Sequence, residues 1–256
     1  MRLGVVPYLN AVPLVADLPR EADVRGADPG VLSAWLEAGE VDAALLPVAE
    51  ALRGVGGGFV GRHGIACDGA VDSVLAFLPR AAPPEAWPAE VVLDPASRTS
   101  AALLRVLLER RHGLAPRYVT ASEPGPDPRA RPNAITLVIG DRAFLRRRGF
   151  SGAVLDLGAE WKAWTGLPFV FARWTVRRGL SPAARAEIAA VLDGAARTGL
   201  SRVKELARAE GPAHGLSADE AVRYLGTTVK FVLDARAEEG LARFRDEITR
   251  LEGAVA

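Results

Sequence analysis

Along the first half of the chain, short apolar runs alternate with stretches whose hydrophobic residues recur every three to four positions, the signature of strands joined by crossover helices. Strands are predicted over 3–7, 23–26 and 42–47, with helices over 12–18, 31–38 and 48–53. A glycine-rich, hairpin-like stretch, GVGGGFVGRHGIACDGA, then leads into a strand over 73–78. The proline-rich segment over 79–90 cannot be regular structure and is expected to cross between lobes. Beyond it the alternation restarts, with strands over 91–94, 117–120, 135–140 and 153–157 and helices over 98–112, 142–148 and 159–165. A second proline-rich run, EPGPDPRARPN, reads as an exposed loop. The strand FVFARWTV follows Pro168, and everything after Ser181 is helix-patterned, broken near 211–215, with Leu225, Val229, Val232 and Leu233 on one face of a late helix.

Two α/β units of comparable size, linked by apolar strands over 73–78 and 169–176, predict a two-lobed α/β molecule with a central cleft and two crossing strands. The first lobe is discontinuous, 1–76 plus 175–256, and the second spans 77–174. In such folds ligands bind where strands end and helices begin, so the loops at those points are the ones to inspect.

Composition narrows the ligand. With 49% hydrophobic and 25% charged residues and a formal net charge of +1, the chain has no strong overall field to attract nucleic acid or a membrane surface, and a small molecule is the expected partner. A single cysteine, Cys67, excludes an internal disulfide, and His63, His112 and His214 lack metal-ligand spacing, so no metal is expected. The opening MRLGVVPYLNAVPL breaks its apolar run with prolines and an asparagine, which suits a strand and turn rather than a secretory leader; a cytoplasmic location is expected. The chain has no Gln, only Asn10 and Asn133, and three Lys against 29 Arg, a bias that fits a thermophile or a high-GC genome.

Against that background Asn10, at the tip of the first strand beside Tyr8, stands out. It reads equally as an N-cap for a helix with Pro13 in its first turn and as a neutral amide that contacts a ligand. The run VVLDPASRTSAALLRVLLERRHG carries a second signal. Ser97 is a natural N-cap, and the first helical turn holds Arg98, Thr99 and Ser100 with no Asp or Glu to neutralise the positive helix end. Free amides, hydroxyls and a guanidinium there suit a carboxylate or phosphate. Ser73 falls at the start of a strand near the expected cleft floor, or merely alternates on it. Cys67 reads as a small buried apolar residue rather than a nucleophile. Asp141, in IGDRAF, reads as a helix cap before a general base, and Trp161, Trp164 and Trp174 as packing around a hinge.

Taken in order, VPYLNAVPL, DAALLPVAEAL, GAVDSV, LDPASRTSAALL, IGDRAF and DLGAEWKAWTGLPFVFARW resemble the chorismate dehydratases that open the futalosine route of menaquinone biosynthesis, the MqnA family. The resemblance covers the first two thirds of the chain. It implies a type II periplasmic-binding-protein fold used for catalysis, with chorismate, a dianion, converted to 3-[(1-carboxyvinyl)oxy]benzoate and water without a cofactor. It further implies Asn10 and Ser73 as catalytic residues that position the ring substituents, and Thr99 and Ser100 as carboxylate ligands; from the loops read above, Tyr8, Ser97, Arg98 and Asp141 are expected to complete the substrate-binding set. Two other readings stay open at this point: the related family that releases 1,4-dihydroxy-6-naphthoate in the same pathway, and a non-catalytic solute-binding protein for a small carboxylate.

Overall fold

The computed structural model describes residues 1–253. The chain forms two units, Met1–Ala66 with Val170–Ala235, and Cys67–Phe169 with the segment from Arg236 onward. It begins with β1 (Arg2–Val5), α1 (Val12–Val15), β2 (Asp23–Gly26), α2 (Pro29–Glu37), β3 (Ala43–Pro47), α3 (Val48–Leu52) and β4 (Phe59–Cys67). The second unit contributes β5 (Val74–Leu78), β6 (Glu90–Leu93), α4 (Thr99–Val106), β7 (Arg117–Thr120), β8 (Ile135–Ile139), α5 (Asp141–Arg147), β9 (Ala153–Asp156) and α6 (Leu157–Thr165). β10 (Phe169–Val176), α7 (Pro182–Ser201), α8 (Val203–Glu210), α9 (Ala218–Arg223) and β11 (Lys230–Val232) follow, and α10 (Ala235–Gly253) ends the described chain.

In the first unit the sheet order is β11-β4-β10-β3-β1-β2. β1 runs parallel to β2 and to β3, while β10 pairs antiparallel with β3, Trp174 opposite Leu45. All five residues of β3 are buried, as expected for a strand covered on both faces. Helix α7 approaches α1 so closely that a Cβ at Gly199 would collide with the carbonyl of Pro13. Glycine there lets α7 seat against α1.

The second sheet has the order β7-β6-β8-β5-β9. β6 is parallel to β7 and β8, and β5 is antiparallel to both β8 and β9. Its core holds Leu75, Phe77, Val138 and Ala143, with the Phe77 and Phe150 rings edge to face at 5.0 Å. α10 buries the stripe Ala237, Gly240, Leu241, Phe244, Ile248 and Leu251. Its Phe244 meets Phe169 at 4.8 Å and Trp161 at 6.0 Å.

Several expectations are corrected. The glycine-rich stretch is not a hairpin but largely the nine-residue strand β4, because glycines lower the β signal without preventing ladder pairing. The strand over 73–78 does not link the units: β5 lies between β8 and β9, and the first change of unit comes at Ala66/Cys67. The proline-rich 79–90 segment accordingly lies wholly within the second unit. Observed changes of unit fall at 66/67, 169/170 and 235/236, compared with the expected 76/77 and 174/175, and the last helix groups with the second unit. The late apolar helix over 225–233 is absent; after α9 the chain makes a wide turn over Tyr224–Thr228 and enters β11, which pairs antiparallel with β4. The i, i+4 spacing that suggested a helix also fits a turn followed by a strand, and Thr227, Thr228 and Val229 supply a β-branched run. Trp161 and Trp164 pack edge to face within the second unit, and Trp174 is fully buried in the first.

Candidate functional site

In the first unit the segment after β1 carries Tyr8 and Asn10. Tyr8 is half-buried and extended, and its carbonyl accepts from Ala11 N–H at 2.9 Å, which tightens Leu9–Ala11 into a single turn. Asn10 therefore lies inside this turn. α1 begins only at Val12, with Ala11 in the cap position and no side-chain cap, so Asn10 is not an N-cap. Instead its Nδ2 donates to the hydroxyl of Tyr224 at 3.0 Å. Its Oδ1 is buried and has no hydrogen-bond partner among the described residues.

Strand directions in the second unit put the carboxyl ends of β6, β7, β8 and β9 at one end of the sheet, together with the start of β5. That end carries every other predicted site residue. Ser73, only 1% exposed, precedes β5, and its carbonyl accepts from Gly140 N–H at 2.8 Å. It follows Asp72, the one non-glycine residue among those described with positive φ (61°), a left-handed conformation that costs about 1–2 kcal/mol unless its surroundings impose it. The carboxylate of Asp156 imposes it. This residue caps α6 by accepting from Gly158 and Ala159 N–H at 3.0 and 3.1 Å, and it also accepts from Val71 and Asp72 N–H, the latter at 2.7 Å. Burial pushes the Asp156 carboxyl above its ordinary range, against the pull of those N–H donors.

α4 opens at the same end. Thr99 and Ser100 are buried in its first turn, which has no acidic residue. The cap expected at Ser97 is displaced by one residue: exposed Arg98 occupies the cap position, and Ser97 Oγ accepts from Ala101 N–H at 3.1 Å. Asp94, 1% exposed, anchors the loop between β6 and α4. Its Oδ1 accepts from Ala96 N–H at 3.0 Å and its Oδ2 from Gly125 N–H at 3.0 Å and Ile139 N–H at 3.4 Å, so one carboxylate ties together the segments after β6 and β7 and the last residue of β8. Burial raises its carboxyl too. Asp141 is the first residue of α5; Gly140, at φ 65°, takes the cap position with no side chain, so Asp141 does not cap. Burial pushes the Cys67 thiol up, away from the thiolate a nucleophile needs.

Ser73, Ser97, Arg98, Thr99, Ser100 and Asp141, expected from the sequence, thus share one end of the second sheet, whereas Asp94, Asp156 and Tyr224 were not expected. All three act on residues distant in sequence; the only local hint was that Asp94 and Asp156 close strands. Among the described residues no group of three or more His, Cys, Asp or Glu side chains could hold a metal ion, and no helix is long and apolar enough to cross a membrane.

A family profile described as menaquinone biosynthesis matches residues 1–250. A chorismate dehydratase from Thermus thermophilus is 34% identical over 226 residues, 81% of this chain and 80% of that protein. Among solved structures, protein AF1704 from Archaeoglobus fulgidus superposes with a TM-score of 0.77 at 15% identity, covering 99% of this chain and 97% of that one. The periplasmic aliphatic sulphonate binding protein SsuA from Escherichia coli gives 0.64 at 15% identity, covering 98% and 87%. The Candida albicans CA3427 product, described as having the generic periplasmic binding protein fold, gives 0.58 at 13%, covering 100% and 90%. The fold class is thus the periplasmic-binding-protein type expected from the sequence.

Proposed function

Since the chain belongs to the menaquinone-biosynthesis family, we propose that it is a chorismate dehydratase, a carbon–oxygen lyase that converts chorismate to 3-[(1-carboxyvinyl)oxy]benzoate and water. The observation that carries the site assignment is the polar end of the second sheet. Three buried hydroxyls, Ser97, Thr99 and Ser100, stand at a helix start without an acidic side chain, at the same end as Ser73 on its left-handed turn. A substrate carboxylate is favoured at such a start by the partial positive charge of the helix and by first-turn N–H groups. Arg98 adds a formal positive charge at the same helix start.

The reaction asks little of side chains as acids or bases. A proton leaves the ring carbon that bears the enolpyruvyl ether, and the electrons of that C–H bond form the last ring π bond. The hydroxyl departs from the neighbouring carbon, and proton and hydroxide together make the water released. In this proposal the substrate's own side-chain carboxylate accepts the ring proton. Asn10 and Ser73 hold the ring in the conformation that brings the two together, where orientation alone can supply several orders of magnitude in rate. Tyr8 and Asp141 complete the binding set, and the cytoplasm is the proposed location.

Incubating the purified protein with chorismate and following the new benzoate chromophore, with the loss of one water by mass, tests the activity. Asn10→Ala and Ser73→Ala are expected to lower kcat by about a hundredfold each, on the scale of removing one transition-state contact. Full turnover with only a raised KM would overturn their catalytic assignment. Tight chorismate binding with no product would support the solute-binding reading instead.

A further inference from the structure

Tyr224 begins the wide turn after α9, in which the N–H of Val229 donates to the Tyr224 carbonyl at 3.0 Å, five residues back. Such one-residue expansions re-aim side chains and recur at functional sites. The ring is only 2% exposed, so a phenylalanine would fill the same space; what the tyrosine adds is a hydroxyl that accepts from Asn10 Nδ2 at 3.0 Å across 214 residues of sequence. Asn10 neither caps its own turn nor α1. With one N–H of its Nδ2 given to Tyr224, the amide keeps a buried Oδ1 that no described residue satisfies, and a buried acceptor left without a partner is destabilising.

We propose that Tyr224 is a positioning residue that holds the Asn10 amide with its acceptor Oδ1 offered to the ligand, so that Asn10 reads a hydroxyl on the substrate. The inference rests on the dehydratase reading and deepens it. Chorismate carries a ring hydroxyl and the product does not, so an acceptor fixed in this orientation favours substrate over product and leaves Oδ1 unsatisfied once water has left. Asn10 then orients the hydroxyl through its proton and does not itself protonate the departing oxygen.

The test is a kinetic cycle of the wild type, Tyr224→Phe, Asn10→Ala and the double variant on chorismate, with the inhibition constant of added product measured for each. Tyr224→Phe is expected to keep its melting temperature within a few degrees, to lower kcat about tenfold, as for loss of one such contact, and to leave the product's inhibition constant unchanged. In the Asn10→Ala background the same change should have no further effect. A similar loss in both backgrounds, equal weakening of product and substrate, or early melting with loss of both would assign Tyr224 to the structure alone and overturn the inference. Wild-type kinetics in Tyr224→Phe beside a crippled Asn10→Ala would overturn this inference while the catalytic role of Asn10 stands. Full activity in Asn10→Ala would remove that role, and the inference with it.

Discussion

At Asp72 the backbone is bent into a conformation that side chains with a Cβ resist, and the carboxylate holding it there belongs to Asp156, 84 residues on. Asp156→Asn tests whether that hold places Ser73. An amide has one acceptor oxygen where the carboxylate has two, so either the Val71–Asp72 turn or the start of α6 faces an N–H group in place of an oxygen. The expected result is a loss of about 1–3 kcal/mol in denaturant unfolding together with a fall in kcat of about tenfold or more in protein that is still folded. A fall in stability with kcat untouched would mean that Ser73 keeps its place without the turn. Asn10 could be picked out of the sequence because amides are scarce in this composition. Asp156 and Tyr224 could not, since an Asp before a helix is ordinary capping chemistry and a Tyr in a helical pattern is ordinary core. Their second jobs exist only once distant loops are brought together.

Among the elements, α4 was the most legible, because its leucines fall on one face and its first turn lacks the acids that usually complement it. What its pattern hid was the end: the last turn opens into a wider one over Leu107–Arg111, with the N–H of His112 reaching the carbonyl of Leu107. β4 and β11 were lost for local reasons, glycines in one and a three-residue length in the other. In the proposed site, the missing first-turn acid in α4 sets stability against function. Arg98→Asp puts a negative charge on the positive end of the helix, which should raise stability by roughly 0.3–1 kcal/mol. The same charge opposes a dianionic substrate and is expected to raise KM for chorismate by about tenfold, the effect of 1.4 kcal/mol. Thermal melting and steady-state kinetics on one preparation read both. If melting temperature and affinity rose together, the start of α4 would not be the anion site.

At the scale of the whole molecule the two units carry buried or half-buried carboxyls that answer to acid in opposite directions. In the first, Asp42 accepts from the N–H and guanidinium of Arg2, both at 2.9 Å, and from Arg177 at 3.3 Å, which joins the start of β1 to the segment that follows β10. Burial alone would push the Asp42 carboxyl up, but the hydrogen bonds from Arg2 and Arg177 outweigh it and hold it at about 2. A carboxyl held below its ordinary value adds stability above that value and loses it as pH falls towards 2, here about 2 kcal/mol in all. Asp94 and Asp156, in the second unit, have raised carboxyls, so each gains relative stability as pH falls and it takes up a proton. Acid should therefore loosen the first unit before the second. Hydrogen exchange between pH 4 and 2.5, corrected for the intrinsic rate, is expected to show peptides from β1, β3 and β10 losing protection while those from β6 and β8 keep theirs. Asp42→Asn should be about 2 kcal/mol less stable at neutral pH and should lack most of the acid-dependent loss in the first unit. Earlier opening of β6 and β8, or an acid response unchanged in Asp42→Asn, would show that the Arg2–Asp42–Arg177 cluster does not set the acid limit of the fold.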